Sequence, residues 1–363
     1  MSRGFKKNFL RLLTASICII TVHLTTPLEN YCLAADSSKN TRKNEAKKTG
    51  HKNIRKDVKI LTCSNAKEFI YNLTNFDRSN IFYTNVSKFD DGESLIKIDD
   101  GNKLQGEKVL IVQSISGDIN DAFMELVFAA NIAHSLGAGE IYLLIPYLGY
   151  SRQDRVRTAS EAFSAKVIAN ILSQPYIKKI FLVKLHADQI QGFFNVPTVN
   201  INTNEFFAET IKRNHDLHNS VLIAPDAGAA KSIVVPIAEE IKVDLRVATK
   251  RRSKDGSKSE IVDFSSEGLK GKICIIIDDI VDSGGTLCNV AEKIAEQGAK
   301  EVIAYMTHPV LSPKAMDRIN KSCITKLYVG DTIDAKEKAA ACKKINILSI
   351  SDWCVKKVMS FIS

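Results

Sequence analysis

The stretch IIIDDIVDSGGT, Ile275 to Thr286, joins an apolar strand to two carboxylates and then to a glycine-bearing turn. Three isoleucines suit a short strand buried on both faces, and NVAEKIAEQG beyond the turn has helical spacing. The turn therefore sits between strand and helix. Backbone N–H groups at such a turn, with a helix N-terminus behind them, can surround a phosphate, and Gly284 and Gly285 permit its close approach. Asp278 and Asp279 stand just upstream, where carboxylates can accept hydrogen bonds from ribose hydroxyls. Adjacent aspartates closing an apolar strand repel one another, so a cation or a hydroxyl-rich ligand is expected beside them. An ordinary polar turn would explain Asp-Ser-Gly-Gly, but not the paired carboxylates.

Working outward, short apolar runs alternate with amphipathic segments from Val58 onward: VKILT, KVLIVQS, FMELVFAANIAHSLG and EIYLLIPY, then KIFLVKL, FFAETIKRN, SVLIAPDAG, KSIVVPIAEEI and EVIAYMTHP. That alternation predicts an α/β protein with mainly parallel sheets flanked by helices. With 363 residues and 45% hydrophobic content the chain accommodates two cores. Two domains are expected, 57–203 and 204–345, and a C-terminal helix at 346–363 is expected to rejoin the first. KRRSKDGSKSE, Lys250 to Glu260, reads as a polar loop.

The formal charge of +9 resides in the first 56 residues, where twelve Lys or Arg face three acids (12 − 3 = +9). The remainder holds 38 basic and 38 acidic residues (50 − 12 and 41 − 3), so no global charge argues for a nucleic-acid partner. Residues 1–35 begin with Arg3, Lys6, Lys7 and Arg11, continue with the apolar LLTASICII and reach Ala34 and Ala35, the outline of a secretory signal. An organelle-targeting extension, an uncleaved interfacial anchor or a disordered tail are the alternatives. Residues 36–56 read as a basic, disordered linker, so a non-globular extension precedes the domains. Membrane contact is expected only through this N-terminal segment. The eight cysteines form no CxxC pair and no Cys/His spacing for zinc, and are read as free thiols.

Four further segments carry chemistry. FDDGES, Phe89 to Ser94, offers an aromatic face beside acidic groups, able to stack on a base and accept from its amino group; Asp-Gly is equally a hairpin turn. PYLGYSRQDR ends in Arg152, Gln153, Asp154 and Arg155, and guanidinium forks at a strand's carboxyl end suit a polyphosphate. KLHADQIQGFFNVP places His186 directly after a strand, and Asp226 of APDAG follows another. The two make a plausible pair around a hard cation such as Mg²⁺, directly or through water, although a lone histidine is more often structural. The cations of KRR can neutralise a transferring pyrophosphoryl group.

Taken together, FDDGE, PYLGYSRQDR, LHADQIQGFF, PDAG, KRR and IDDIVDSGGT resemble, in order and spacing, the ribose-phosphate pyrophosphokinases, from about Val58 to the C-terminus. The resemblance implies two phosphoribosyltransferase-like domains and transfer of the β,γ-pyrophosphoryl group of ATP to the anomeric hydroxyl of ribose 5-phosphate, with AMP released. It implies that Asp91, Gly92 and Glu93 contact adenine while Phe89 stacks on it, in the site of a neighbouring subunit, and that Arg152 and Gln153 hold ATP. By the same likeness His186 and Asp226 position Mg²⁺, and Lys250 and Arg252 are catalytic, with Arg252 also contacting substrate phosphate. Asp278 and Asp279 would bind the ribose hydroxyls, and Asp282, Ser283, Gly284, Gly285 and Thr286 the 5-phosphate. A homo-oligomer, a hexamer by family habit, and a cytoplasmic enzyme feeding nucleotide synthesis are implied as well, despite the leader.

Two other classes compete. A phosphoribosyltransferase would keep IDDIVDSGGT but has no need of FDDGE, RQD and LHADQIQGFF. A non-catalytic regulatory paralogue would have no need of Lys250, Arg252 and a complete sugar-phosphate loop. The sequence departs from the family at Gln105 where arginine is typical, at Ser160 and Ala162 in ASEAFSAK, at Val199 in place of an aspartate, and at Lys184 and Pro309. Several of these positions belong to a regulatory phosphate and nucleotide site in related enzymes, and loss of the guanidinium removes charge-assisted phosphate binding. Catalysis is therefore expected to persist with weakened phosphate activation and ADP inhibition. Steady-state rates should vary little with added inorganic phosphate; a steep phosphate requirement would overturn this reading.

Overall fold

The computed structural model describes residues 57–74, 76–252, 259–263 and 268–362, with the backbone alone at 249–252 and 259–263. Residues 1–35 and 36–56, read above as leader and linker, lie outside the described residues. Strands β1 (Val58–Thr62), β2 (Ile81–Lys88), β3 (Ser94–Ile98), β4 (Lys108–Val112), β5 (Glu140–Ile145), β6 (Ile177–Val183) and β7 (Thr198–Ile201) form a sheet ordered β3-β2-β1-β4-β5-β6-β7. Its pairs are parallel except β2 with β3. Strands β8 (Ser220–Ala224) and β9 (Leu245–Val247) begin a second sheet, and β10 (Thr249–Arg252) pairs antiparallel with β11 (Ser259–Asp263). With β12 (Ile273–Val281), β13 (Glu301–Pro309), β14 (Lys326–Gly330) and β15 (Ile345–Leu348), the second sheet is all parallel in the order β15-β14-β13-β12-β8-β9.

The apolar runs have the expected cause. Ile275, Ile276 and Ile277 are fully buried, with Cys274 and Ile276 packing into the core on one face of β12 and Ile275 and Ile277 into the core on the other. The first sheet does the same: Val109 and Ile111 face one core, Leu110 and Val112 the opposite one. A strand covered on both faces needs an apolar side chain at every position, which is why no polar alternation marks these segments.

Two expectations are corrected. Residues 346–348 do not begin a helix; with Ile345 they form β15, whose backbone is satisfied by β14, and the helix runs Ser351–Phe361. Ile350, Cys354, Val355 and Val358 pack with Ile60, Leu110 and Phe181 of the first sheet. Nor is Lys250–Arg252 loop: it lies in β10, in register with the β-branched and polar SEIVD of β11.

Each parallel sheet has one place where the strand order reverses. In the first, the chain passes from β1 outward to β2 and β3, then returns to lay β4 on the other side of β1. In the second, β8 is followed by β9 on one flank and β12 on the other. Crevices open at the carboxyl ends of strands at such switch points. The carboxyl edges of the sheets are tied together: Ser114 Oγ donates to the Thr332 carbonyl, His308 Nε2 meets the Lys184 carbonyl at 2.9 Å, and Thr203 Oγ1 meets Thr307 Oγ1 at 3.1 Å. No helix among the described residues is long and apolar enough to cross a membrane.

Asp331, after β14, accepts from the Ile350 N–H (2.9 Å) and from Asn72 Nδ2 (3.1 Å), linking the terminal helix to the first sheet's helix Lys67–Tyr71 and the residues after it. Burial, against these hydrogen bonds, pushes its pKa from 3.8 up to about 6. A carboxyl whose pKa is higher folded than unfolded contributes stability that is complete below the unfolded value and is lost as pH rises through the folded one. The melting temperature of Asp331→Asn should therefore gain on that of the parent between pH 4 and pH 7; parallel melting curves across that range would overturn the assignment.

Candidate active site

The carboxylates of the opening motif lie within β12, just past the stretch that pairs with β8 at the switch point, over a cavity of about 270 Å³. Asp278, Asp279, Asp226, His186, Arg152 and the 282–287 turn line it. The turn takes its shape from Gly284, whose φ of +72° strains any residue bearing a Cβ, and Gly284 directly precedes the helix Gly285–Glu296. At Gly285 a Cβ would lie 3.3 Å from Arg318 Nη1, a guanidinium that donates to the Ser283 carbonyl at 3.0 Å. Close backbone approach at the helix start is thus built in, and the amide donors there suit an anion. Asp226, two residues beyond the end of β8, caps the next helical turn by accepting from the Ala229 N–H at 2.9 Å.

Two side chains cross from the first sheet. His186, just beyond β6, places Nδ1 2.7 Å from Asp279 Oδ2, and Arg152, after β5, places Nη1 2.7 Å from Asp282 Oδ2. Of the expected cation pair, His186 and Asp226 do line one cavity, but the carboxylate bonded to His186 is Asp279. The members of these two bonds are 93 and 130 residues apart. Sequence reasoning missed both pairings, because the only signal was that each group follows a strand.

The charges divide accordingly. Burial, then the negative Asp279 beside it, holds Asp278 well above the usual carboxylate range. Burial would raise Asp279 too, but the hydrogen bond and charge of His186 outweigh it and leave this group below its ordinary value. At Asp282 burial is likewise outweighed by the hydrogen bond and charge of Arg152. His186 is raised, chiefly by its bond to Asp279 and against burial. Side by side, one carboxyl holds its proton more tightly and one less, which is how a pair that repels is accommodated.

The remaining predicted residues stand elsewhere. Gln153 follows Arg152, and its side-chain oxygen accepts from Ser164 Oγ at 2.6 Å. Phe89, Asp91, Gly92 and Glu93 form the β2–β3 hairpin, closed by Phe89 N–H to the Glu93 carbonyl at 2.9 Å and by Gly92 at φ +93°. The Phe89 ring is 54% exposed, and the hairpin does not line the cavity. Lys250 and Arg252 lie on β10, and their side chains are outside the described residues.

Comparison with known proteins matches this architecture. The profile described as the N-terminal domain of ribose phosphate pyrophosphokinase matches residues 58–175, and that of the phosphoribosyl transferase domain matches 195–337. A ribose-phosphate pyrophosphokinase of Ralstonia nicotianae is 40% identical over 266 residues, covering 73% of this chain and 82% of that one. One of Vibrio parahaemolyticus is 38% identical over 267 residues, covering 73% and 83%. The crystal structure of phosphoribosylpyrophosphate synthetase from Mycobacterium smegmatis superposes with a TM-score of 0.74 at 25% identity, covering 85% of this chain and 99% of that one.

The bond between His186 and Asp279 is directly testable. Because Asp279 is the main cause of the raised imidazole pKa, Asp279→Asn should lower the pH at which His186 titrates by NMR. An unchanged titration would refute the pairing.

Proposed function

The chain belongs to the ribose-phosphate pyrophosphokinase family, and from that membership we propose how its residues share the work of the reaction. The enzyme transfers the β,γ-pyrophosphoryl group of ATP to the anomeric hydroxyl of ribose 5-phosphate, giving phosphoribosyl pyrophosphate and AMP. The observation that carries the assignment of residues is the cavity at the β8/β12 switch point, where paired carboxylates adjoin a glycine turn at a helix start. Asp282 to Thr286 hold the 5-phosphate there, and Asp278 and Asp279 receive the ribose hydroxyls. The acceptor sugar is thereby fixed at both ends.

Arg152 and Gln153 hold the polyphosphate of ATP, while Lys250 and Arg252 neutralise charge on the transferring group. Such a transfer asks for in-line alignment and charge neutralisation and needs no protein nucleophile. Among the described residues no cluster of three or more His, Cys, Asp or Glu side chains forms a closed metal cage. Mg²⁺ keeps several waters and takes substrate phosphate oxygens beside one or two protein ligands, so two such side chains would suffice here. His186 and Asp226 would hold the ion, and it supplies further neutralisation of phosphate charge when bound. Because Asp279 engages Nδ1, Nε2 is the imidazole nitrogen left to face it.

Phe89, Asp91, Gly92 and Glu93 contact adenine in a neighbouring subunit. Support comes from the exposure of the hairpin and its absence from the lining of its own chain's cavity. This reading makes the enzyme a homo-oligomer, a hexamer by the family's habit. The domain division at 203/204 is supported by the two sheets, whose strands span 58–201 and 220–348. A cytoplasmic location accords with the substrates.

The test is formation of phosphoribosyl pyrophosphate and AMP by the purified protein from ATP, Mg²⁺ and ribose 5-phosphate. Absence of both products would favour a non-catalytic paralogue. Gly284→Val should raise KM for ribose 5-phosphate about tenfold or more by spoiling the turn, and Lys250→Ala should lower kcat far more than substrate binding. An unchanged KM in the first or an unchanged kcat in the second would remove the role assigned to that residue.

A further inference from the structure

The turn after β12 is held from behind by a segment that lines no part of its cavity. Leu311 N–H donates to the Val281 carbonyl at 3.0 Å, Ser312 N–H to the Asp282 carbonyl at 3.2 Å, and Arg318 Nη1 to the Ser283 carbonyl at 3.0 Å. Three consecutive carbonyls of the turn are therefore bound by residues 311–318, whereas the cavity is lined by 281–287. In a trans peptide the carbonyl and the N–H that follows it point to opposite sides. With the carbonyls of Asp282 and Ser283 turned toward 311–318, the N–H groups of Ser283 and Gly284 are turned away from that segment.

The third bond differs in kind from the first two. Backbone N–H groups make those, and the next residue in line is Pro313, which has no N–H to offer. There the chain enters the helix Pro313–Lys321, and the guanidinium of Arg318 supplies the donor that the series lacks. Its platform is fixed. Ala315 and Ile319 of this helix pack in one core with Leu287 and Cys288 of the helix that follows the turn. Lys344 Nζ donates to the carbonyls of Ile319, Asn320 and Ser322 at 3.0, 3.0 and 2.7 Å, so all three ammonium donors are spent at the helix's carboxyl end. The approach is close on the turn's side as well. A Cβ at Gly284 would lie 3.6 Å from Ile319 Cγ1, and one at Gly285 would lie 3.3 Å from Arg318 Nη1.

We propose that Arg318 is a positioning residue for the 5-phosphate of the acceptor sugar. Its guanidinium holds the Ser283–Gly284 peptide with the Gly284 N–H directed away from the helix, and it places a positive charge directly behind the turn. Both effects favour a dianionic phosphate, because the donors are oriented before the anion arrives and the charge needs no rearrangement. An exposed arginine on a helix is ordinarily solvated and contributes little. Lys321 of the same helix is such a residue, paired at 2.9 Å with the exposed Asp317. Arg318 differs from it in closing a series of bonds that the backbone leaves incomplete. The role rests on the function proposed above, which places the phosphate at this turn.

The test compares Arg318→Met, Arg318→Lys and Lys321→Met with the parent, all as full-length protein. Binding of ribose 5-phosphate is measured by calorimetry with Mg²⁺ and a non-hydrolysable ATP analogue, and steady-state kinetics are measured in parallel. Arg318→Met should weaken ribose 5-phosphate binding and raise its KM by about tenfold, with kcat and KM for ATP within about twofold of the parent. Arg318→Lys, which keeps a charged donor, should recover binding to within about threefold of the parent, and Lys321→Met should match the parent. Equal binding by parent and Arg318→Met, an equal loss in Lys321→Met, a fall in kcat as large as the rise in KM, or no recovery with lysine overturns the role. If the parent itself binds no ribose 5-phosphate, the function proposed above falls and this role falls with it; a loss confined to the comparison among variants leaves that function standing.

Discussion

Two carboxylates on consecutive residues in the carboxyl-terminal half of a buried strand are the constraint around which this protein is organised. Asp278 and Asp279 cannot both be ionised cheaply in a crevice removed from water, and the fold meets that cost by bringing His186 across from the other sheet. The bond does more than balance charge. It fixes the position of one sheet's carboxyl edge against the other's, so the residues that recognise the sugar and the residues that come with LHADQIQGFF face a common cavity. The pairing of Arg152 with Asp282 repeats the device at the phosphate turn.

The ties between the sheets explain why these charges can be held so closely. His308 is almost completely buried, and burial lowers its pKa to about 4, so it serves as a neutral hydrogen-bonding bridge between β13 and the Lys184 carbonyl. Ser114 and Thr203 add uncharged links at the same edge. Neutral contacts carry the alignment, which leaves the charged groups to the crevice. Both crevices then follow from strand order, since a parallel sheet whose connections diverge from one strand leaves a gap at that strand's carboxyl end.

Much of the fold was legible because a parallel sheet covered on both faces writes itself as uninterrupted apolar runs. IIIDD, VLIV and FLVKL each read as strands without ambiguity. The failures have local causes. Residues 346–348 read as the start of the terminal helix because so short a strand shows no period, and KRR reads as loop because its charge obscures a strand that pairs with the SEIVD following six residues later. Propensity cannot decide either case; a neighbouring strand does.

By itself the sequence determined the class of fold, the sugar-phosphate turn and the family, since each depends on residues close together in the chain: an apolar strand, two aspartates, a glycine that must adopt positive φ. Tertiary structure alone decided that His186 bonds Asp279, that Arg152 closes on Asp282, and that a second and larger cavity opens at the first sheet's switch point. Those outcomes depend on how two sheets meet at their carboxyl edges, and distances across that junction are set by packing between residues 93 or more positions apart, where no local pattern reaches.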